Sequence, residues 1–436
     1  MMANLVARLS LAFVGLLMLV PASHAMEIQR VVSPSGIEAW LVEDYAVPIV
    51  AVNFAFAGGT SQDPADRPGV ANMLTGLLDE GAGDLDSKAF QAKLDELSIG
   101  LSFDAGRDEF FGTLKTLAEN KDEAFSLLAS AVQSPRFDAE PVERIRAQIT
   151  VSINEAKKDP ESVASATIRA TAYPGHPYGQ PPEGTIESIA AVTADDLRNY
   201  RERIFARDKL KVAVVGAIDA KAVGEMLDQV FGPLPEKGKL NEIPNVVPKG
   251  GTAEVAMPNP QTLITFGGPG PSRDAADFMP TFVANHILGG GTFSSRLYEE
   301  VRERRGLAYS VGTMMLPFRH SAAISGQTAT RADRADETVE LIKSEMARLA
   351  KDGPTEEELV KAKSFLIGSY PLRFDSSSKI ARQLLGIQLD DLGIDYIDKR
   401  NGLVDAVTLE EVKEASQKYF TTGTDLIVRV GPEQKS

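Results

Sequence analysis

The chain contains no cysteine, which excludes disulfides, thiolate metal sites and thiol nucleophiles together. Histidine is almost as scarce. Beyond His24, near the N-terminus, there are only His176, His286 and His320, and no two of them stand three or four positions apart. A pair of imidazole ligands on one helical face is therefore excluded. Basic side chains are also in deficit, with 46 Lys and Arg against 61 Asp and Glu and a net charge of −15. That sign argues against nucleic acid or anionic lipid as the main partner, and it permits a basic one without requiring it. Long apolar runs are missing too. The mostly apolar stretch from Leu9 to Val20 spans about 18 Å as a helix, short of the roughly 30 Å needed to cross a bilayer.

What is present at the N-terminus reads as an export signal. Arg8 precedes the apolar run, and Pro21-Ala22-Ser23-His24-Ala25 follows it with small residues where a signal peptidase reads. The expectation is a signal peptide over residues 1–25, cleavage after Ala25 and a periplasmic protein with no membrane span. Without that segment the chain carries 45 basic and 61 acidic side chains, a net of −16. The 436 residues, 43% of them hydrophobic, suffice for two or three domains with cores of their own.

The organisation is a duplication. Val70-Ala71-Asn72 recurs as Val283-Ala284-Asn285, followed at a nearly constant offset by Gly112 and Gly326, Asp122-Glu123 and Asp336-Glu337, and Glu143 and Glu357. Buried strands are expected at Ile49 to Phe56 and Thr262 to Phe266, each followed by a helix, near Asp66 to Glu80 and near Asp277 to Leu288. Strand pairs follow, Leu101 to Phe103 with Phe110 to Leu117, and Leu307 to Val311 with Ala322 to Ser325. Each copy then closes on a strand, Lys209 to Val215 and Asp425 to Val430. Strands grouped with helices that do not alternate regularly with them imply an α+β fold of two homologous domains, residues 27–232 and 261–433. Each is a largely antiparallel sheet with helices on one face. Six prolines and three glycines between Pro233 and Pro260 mark residues 233–260 as a linker.

The stretch Gly69 to Gly76 and the segment Thr292-Phe293-Ser294-Ser295-Arg296-Leu297 running into Arg302 and Tyr309 resemble the pitrilysin/insulinase superfamily of zinc peptidases, which includes the mitochondrial processing peptidase. The resemblance extends to Ala172 through Gly179 and spans nearly all of the chain after the leader. In that family an H-x-x-E-H motif puts two histidine ligands on one helix with the general base between them. Here those places hold Asn72, Thr75 and Gly76, a weak amide donor, a hydroxyl that is no base near neutral pH, and no side chain at all. The region matching the family's third ligand, Thr150 to Ser152, has no acid. The resemblance therefore implies no metal in this chain. Some family members work as heterodimers, one subunit bearing zinc and the other an Arg/Tyr pair seven residues apart; this chain is similar to the second kind.

The expected function is that of a subunit inactive alone, which completes a zinc metallopeptidase with a homologous partner and meets peptide substrate at the partner's zinc. Arg302 and Tyr309 could donate hydrogen bonds to the oxyanion that develops when water adds to a peptide carbonyl. Gly306 permits the turn between them. Plainer readings stand beside this one. Arg302 lies in the charge run Arg302-Glu303-Arg304-Arg305, and Tyr309 alternates with Leu307 and Val311 and so could pack on the sheet. Gly289-Gly290-Gly291 reads as a helix terminus or hinge, His176 as a residue fixing its loop, and His286 as a core or interface residue. The alternative function is a non-enzymatic scaffold or peptide binder built on the same shell.

Overall fold

The computed structural model describes residues 26–433, so the leader expected to be cleaved lies outside the described residues. In the first half the strands are β1 (Gln29–Val32), β2 (Glu38–Glu43), β3 (Ile49–Ala57), a two-residue ribbon of β4 (Gly81–Ala82) and β5 (Leu85–Asp86), β6 (Gly100–Ala105), β7 (Glu109–Leu117) and β8 (Lys211–Gly216). The second half supplies β9 (Gly251–Ala256), β10 (Gln261–Pro269), β11 (Ala308–Phe318), β12 (Ser321–Arg331) and β13 (Leu426–Gly431). The first sheet runs β1-β2-β8-β3-β7-β6 and the second β9-β13-β10-β12-β11. In each, one pair is parallel, β2 with β8 and β9 with β13, and every other pair is antiparallel. The fold is α+β, and the strand orders superimpose apart from the extra β1.

The repeat is legible in the packing. Phe54 on β3 faces Gly112 on β7, and Phe266 on β10 faces Gly326 on β12. In both places a Cβ on the glycine would overlap the phenylalanine ring, so the ring lies flat across the bare strand. Helices of each half bury one sheet face beneath a core, with Phe54, Phe56, Phe110, Leu128 and Phe231 in the first and Phe266, Val283, Val339, Met346 and Phe420 in the second.

The opposite faces are covered by exchange. Helix Ser377–Leu389, from the second half, sets Ile380, Leu384, Leu385 and Ile387 against Trp40, Val42, Ala51 and Val215 of the first sheet. Reciprocally, helix Pro160–Ala172 from the first half packs Ala164, with Val163 and Ile168, against Leu263, Val428 and Val430 of the second. Helices on one face is thus the arrangement within each half, and each second face is closed by the other half. The stretch expected to be linker, residues 233–260, contains β9, which pairs in parallel with β13. Pro248 and Pro258 flank that strand without interrupting it, so proline content masked a six-residue edge strand.

Candidate functional site

The helix carrying the family's metal positions is one and a half turns long, Val70–Thr75. Its N-terminus is held by Asp63, whose carboxylate accepts from the backbone N–H groups of Gly69 at 2.7 Å and Ala71 at 2.8 Å. Burial pushes that carboxyl up to about 7, against the two N–H bonds and Arg203, which favour the charged form. Thr75 spends its hydroxyl on the carbonyl of Asn72 at 2.7 Å. A Cβ on Gly76 would stand 3.3 Å from the Ile145 side chain of the helix Ala139–Ala156, a tight contact that a side chain here makes only if Ile145 shifts. On that same helix Thr150 bonds back to the carbonyl of Arg146 at 2.9 Å. These residues do not fit zinc. Among the described residues no three His, Cys, Asp or Glu side chains converge as a metal site elsewhere.

The second sequence signature forms a compact arrangement. Arg302 sits on a wide, π-helical turn, Tyr298–Arg304, closed by bonds from Gly306 N–H to the Arg302 carbonyl at 3.0 Å and from Leu307 N–H to the Val301 carbonyl at 2.8 Å. Gly306 has φ +60°, the left-handed conformation that lets the chain reverse into β11. At the start of β11 the register slips between Ala308 and Val311, so the strand bulges at Tyr309 and Ser310. Two buried threonines of β12 hold the bulge. The Thr330 hydroxyl donates to the Leu307 carbonyl and that of Thr328 to the Ser310 carbonyl, each at 2.7 Å.

Tyr309 is turned outward, 81% exposed, while Leu307 and Val311 are buried, so it does not pack into the core. Its ring returns over Arg302, whose guanidinium carbon lies 4.8 Å from the ring centres of both Tyr309 and the buried Tyr298. A guanidinium held over aromatic ring faces makes that contact with its own face and leaves the N–H donors of its edge available. Among the described residues the Arg302 guanidinium makes no hydrogen bond, only a 3.7 Å contact with Glu303. Arg304 and Arg305 differ, because both pair with the buried Glu300. Tyr298 was not singled out in the sequence, although its place four residues before Arg302 was a usable signal. The edge-to-face contact of the exposed Phe293 with Tyr298, ring centres 5.2 Å apart, extends the platform.

The remaining motifs have structural roles. In the triplet Gly289-Gly290-Gly291, a Cβ on Gly289 would lie 2.7 Å from the Thr313 hydroxyl, so glycine lets this turn approach β11. His176 accepts from the Tyr178 N–H through Nδ1 at 3.1 Å and donates through Nε2 to the Pro244 carbonyl at 2.9 Å, fixing its loop. Next to it the Tyr178 hydroxyl donates to Asp108 at 2.6 Å and accepts from the His320 backbone at 3.0 Å, joining the two halves. His286 is buried against Phe365, and that burial lowers its pKa.

Residues 40–186 match the family described as insulinase, peptidase family M16, and residues 191–366 match the peptidase M16 inactive domain. The chain belongs to the insulinase-like peptidase family M16. A non-peptidase homolog from Helicobacter pylori is 29% identical over 77% of this chain and 78% of its own length. An uncharacterized zinc protease from Mycobacterium leprae is 27% identical, over 92% of this chain and 91% of that protein. The solved peptidase M16 inactive domain from Pseudomonas fluorescens, 29% identical, superposes with a TM-score of 0.88 over 94% of this chain and 99% of that one. Within the M16 family this is a non-catalytic member, with Asn72, Thr75 and Gly76 where the metal chemistry belongs.

Proposed function

We propose that this M16 chain is the non-catalytic subunit of a heterodimeric zinc metallopeptidase, and that Arg302 and Tyr309 bind and polarise peptide at a homologous partner's zinc. The observation carrying this reading is the Arg302 guanidinium 4.8 Å from the ring centres of both Tyr298 and Tyr309 with no hydrogen bond of its own among the described residues. A cation on the helical turn beside a phenol on the outward-facing bulge suits a developing oxyanion. Neither can activate water, so the metal and base come from the partner. Substrate lies extended against a sheet edge, where main-chain pairing gives sequence-tolerant affinity.

The test uses the chain beginning at Met26, the form left if export removes residues 1–25, which N-terminal sequencing of the exported protein checks. Mixed with a purified relative bearing H-x-x-E-H, it raises peptide cleavage above that of the relative alone. Arg302→Ala and Tyr309→Phe each lower that rate about 100- to 1,000-fold without weakening association. Unchanged rates in both variants would remove the pair from the chemistry. The similarity to a non-peptidase homolog favours a second reading, a scaffold or peptide binder. It requires stoichiometric association with no effect on proteolysis.

A further inference from the structure

Between helix Pro160–Ala172 and the outer face of the second sheet lies a cavity of about 190 Å³ that plays no part in the arrangement around Arg302. Its floor is sheet, with Leu263 and Thr265 of β10, Leu316 of β11 and Ser325 of β12, and Leu426 and Phe318 at one end. Its roof is the exchanged helix, with Ser165, Ile168 and Arg169. The size is informative, since a cavity of about 150 Å³ accommodates benzene.

Two arginines line this largely apolar space, and neither forms an ion pair among the described residues. Arg107 stacks its guanidinium 4.4 Å from the Phe318 ring centre and 5.3 Å from that of Tyr178, and donates one bond to the Tyr178 carbonyl at 3.0 Å. Arg169 has its Nε fully buried with no hydrogen-bond partner. Burial holds the pKa of Arg169 below its usual value, Glu183 opposes that shift and the Arg107 charge adds to it. The acid in the lining, the exposed Glu161, begins the same helix about 12 Å from Arg169 at 1.5 Å per residue. Two cations that disfavour one another across this space call for an anion, and a planar carboxylate is the group whose geometry suits the terminal nitrogens of both.

We propose that this cavity binds a carboxylate with an apolar body of about the size of a benzene ring, the carboxylate between Arg107 and Arg169 and the body against Leu263, Leu316 and Ile168. Either a free aromatic acid or the C-terminal residue of a peptide supplies that chemistry. The site spans the two halves, and it is independent of whether the chain serves a peptidase.

Phenylacetate, N-acetylphenylalanine and N-acetylphenylalanine amide serve as probes, followed by calorimetry and by the rise in melting temperature of the chain from Met26. The two acids bind and raise the melting temperature, and the amide binds at least tenfold more weakly. Binding by phenylacetate alone assigns the site to free acids, and binding by N-acetylphenylalanine alone assigns it to peptide C-termini. Arg169→Met weakens the acids tenfold or more without lowering the ligand-free melting temperature. Ser325→Leu does the same by filling the floor with both arginines intact. Equal affinity for acid and amide, full affinity in Arg169→Met, or no binding of either acid at 10 mM, about the weakest affinity a built site would show, overturns the proposal.

Discussion

Arg302 and Arg304 stand two residues apart in one charge run and have opposite surroundings. Arg304 reaches Glu299 at 2.6 Å and Glu300 at 2.9 Å, Arg305 also holds Glu300, and Arg348 comes within 3.9 Å of it. Burial disfavours the charged form of Glu300, but these arginines outweigh it and keep its carboxyl below the usual range. Glu300 is therefore an anchor, and Arg302 contributes little to the fold beyond its ring contacts. Replacing Glu300 with Ala removes the buried acid that Arg304 and Arg305 share, although Arg304 keeps Glu299 and Arg348 keeps Glu345, and is expected to cost about 1.5–3 kcal/mol, the scale of charged hydrogen bonds. Arg302→Ala is expected to cost about 1 kcal/mol, the scale of an exposed cation–π contact. Urea unfolding of the two variants separates these roles. Equal losses would make Arg302 a structural residue and weaken its assignment to substrate. The sequence could not make this distinction, because a run of charges does not say which member turns toward a buried acid and which toward a pair of rings.

Strands and helices were more readable than their partners. β3 and β8 announced themselves as apolar runs, since central strands covered on both faces need apolar side chains throughout, whereas β7 alternates buried and less buried residues. β11 and β12 each extend to eleven residues, well beyond the segments expected, because the added part of β12, Gly326 to Arg331, is mostly polar and that of β11, Met314 to Phe318, is only partly buried and interrupted by Pro317. The helix expected from Asp66 to Glu80 shrinks to Val70–Thr75, bounded by Gly69 at φ +99° and by Gly76. The proposed duplication makes a quantitative demand. Gly112→Ala and Gly326→Ala push a methyl into equivalent rings, and each is expected to destabilise by about 1–3 kcal/mol. Phe54→Leu and Phe266→Leu, each made with the glycine substitution of its own pair, should recover part of that loss. Denaturant midpoints of the four proteins check it, and a loss at only one glycine would mean the two layers are not packed alike.

The exchange of helices decides how the two halves hold together. Periodicity identifies an apolar helix face but not the sheet it will cover, so the crossing of Pro160–Ala172 and Ser377–Leu389 was invisible in the sequence. Each fully buried Leu or Ile contributes about 1.5–3 kcal/mol, so the four such side chains of Ser377–Leu389 are worth about 6–12 kcal/mol as an upper bound. That is comparable with the whole stability of a typical domain, about 5–15 kcal/mol. The first half is therefore expected not to shed Ser377–Leu389 and remain folded. The single tryptophan reports on this, because Trp40 is buried at that contact. Its emission is expected to shift to the red at the same urea concentration at which helical circular dichroism is lost, in one transition. A Leu384→Asp substitution should lower both midpoints together, since it puts a charge where the helix meets the first sheet. An emission change that precedes the loss of helix would show the halves parting while still folded, and the exchanged helices would then be a latch that opens separately from the fold.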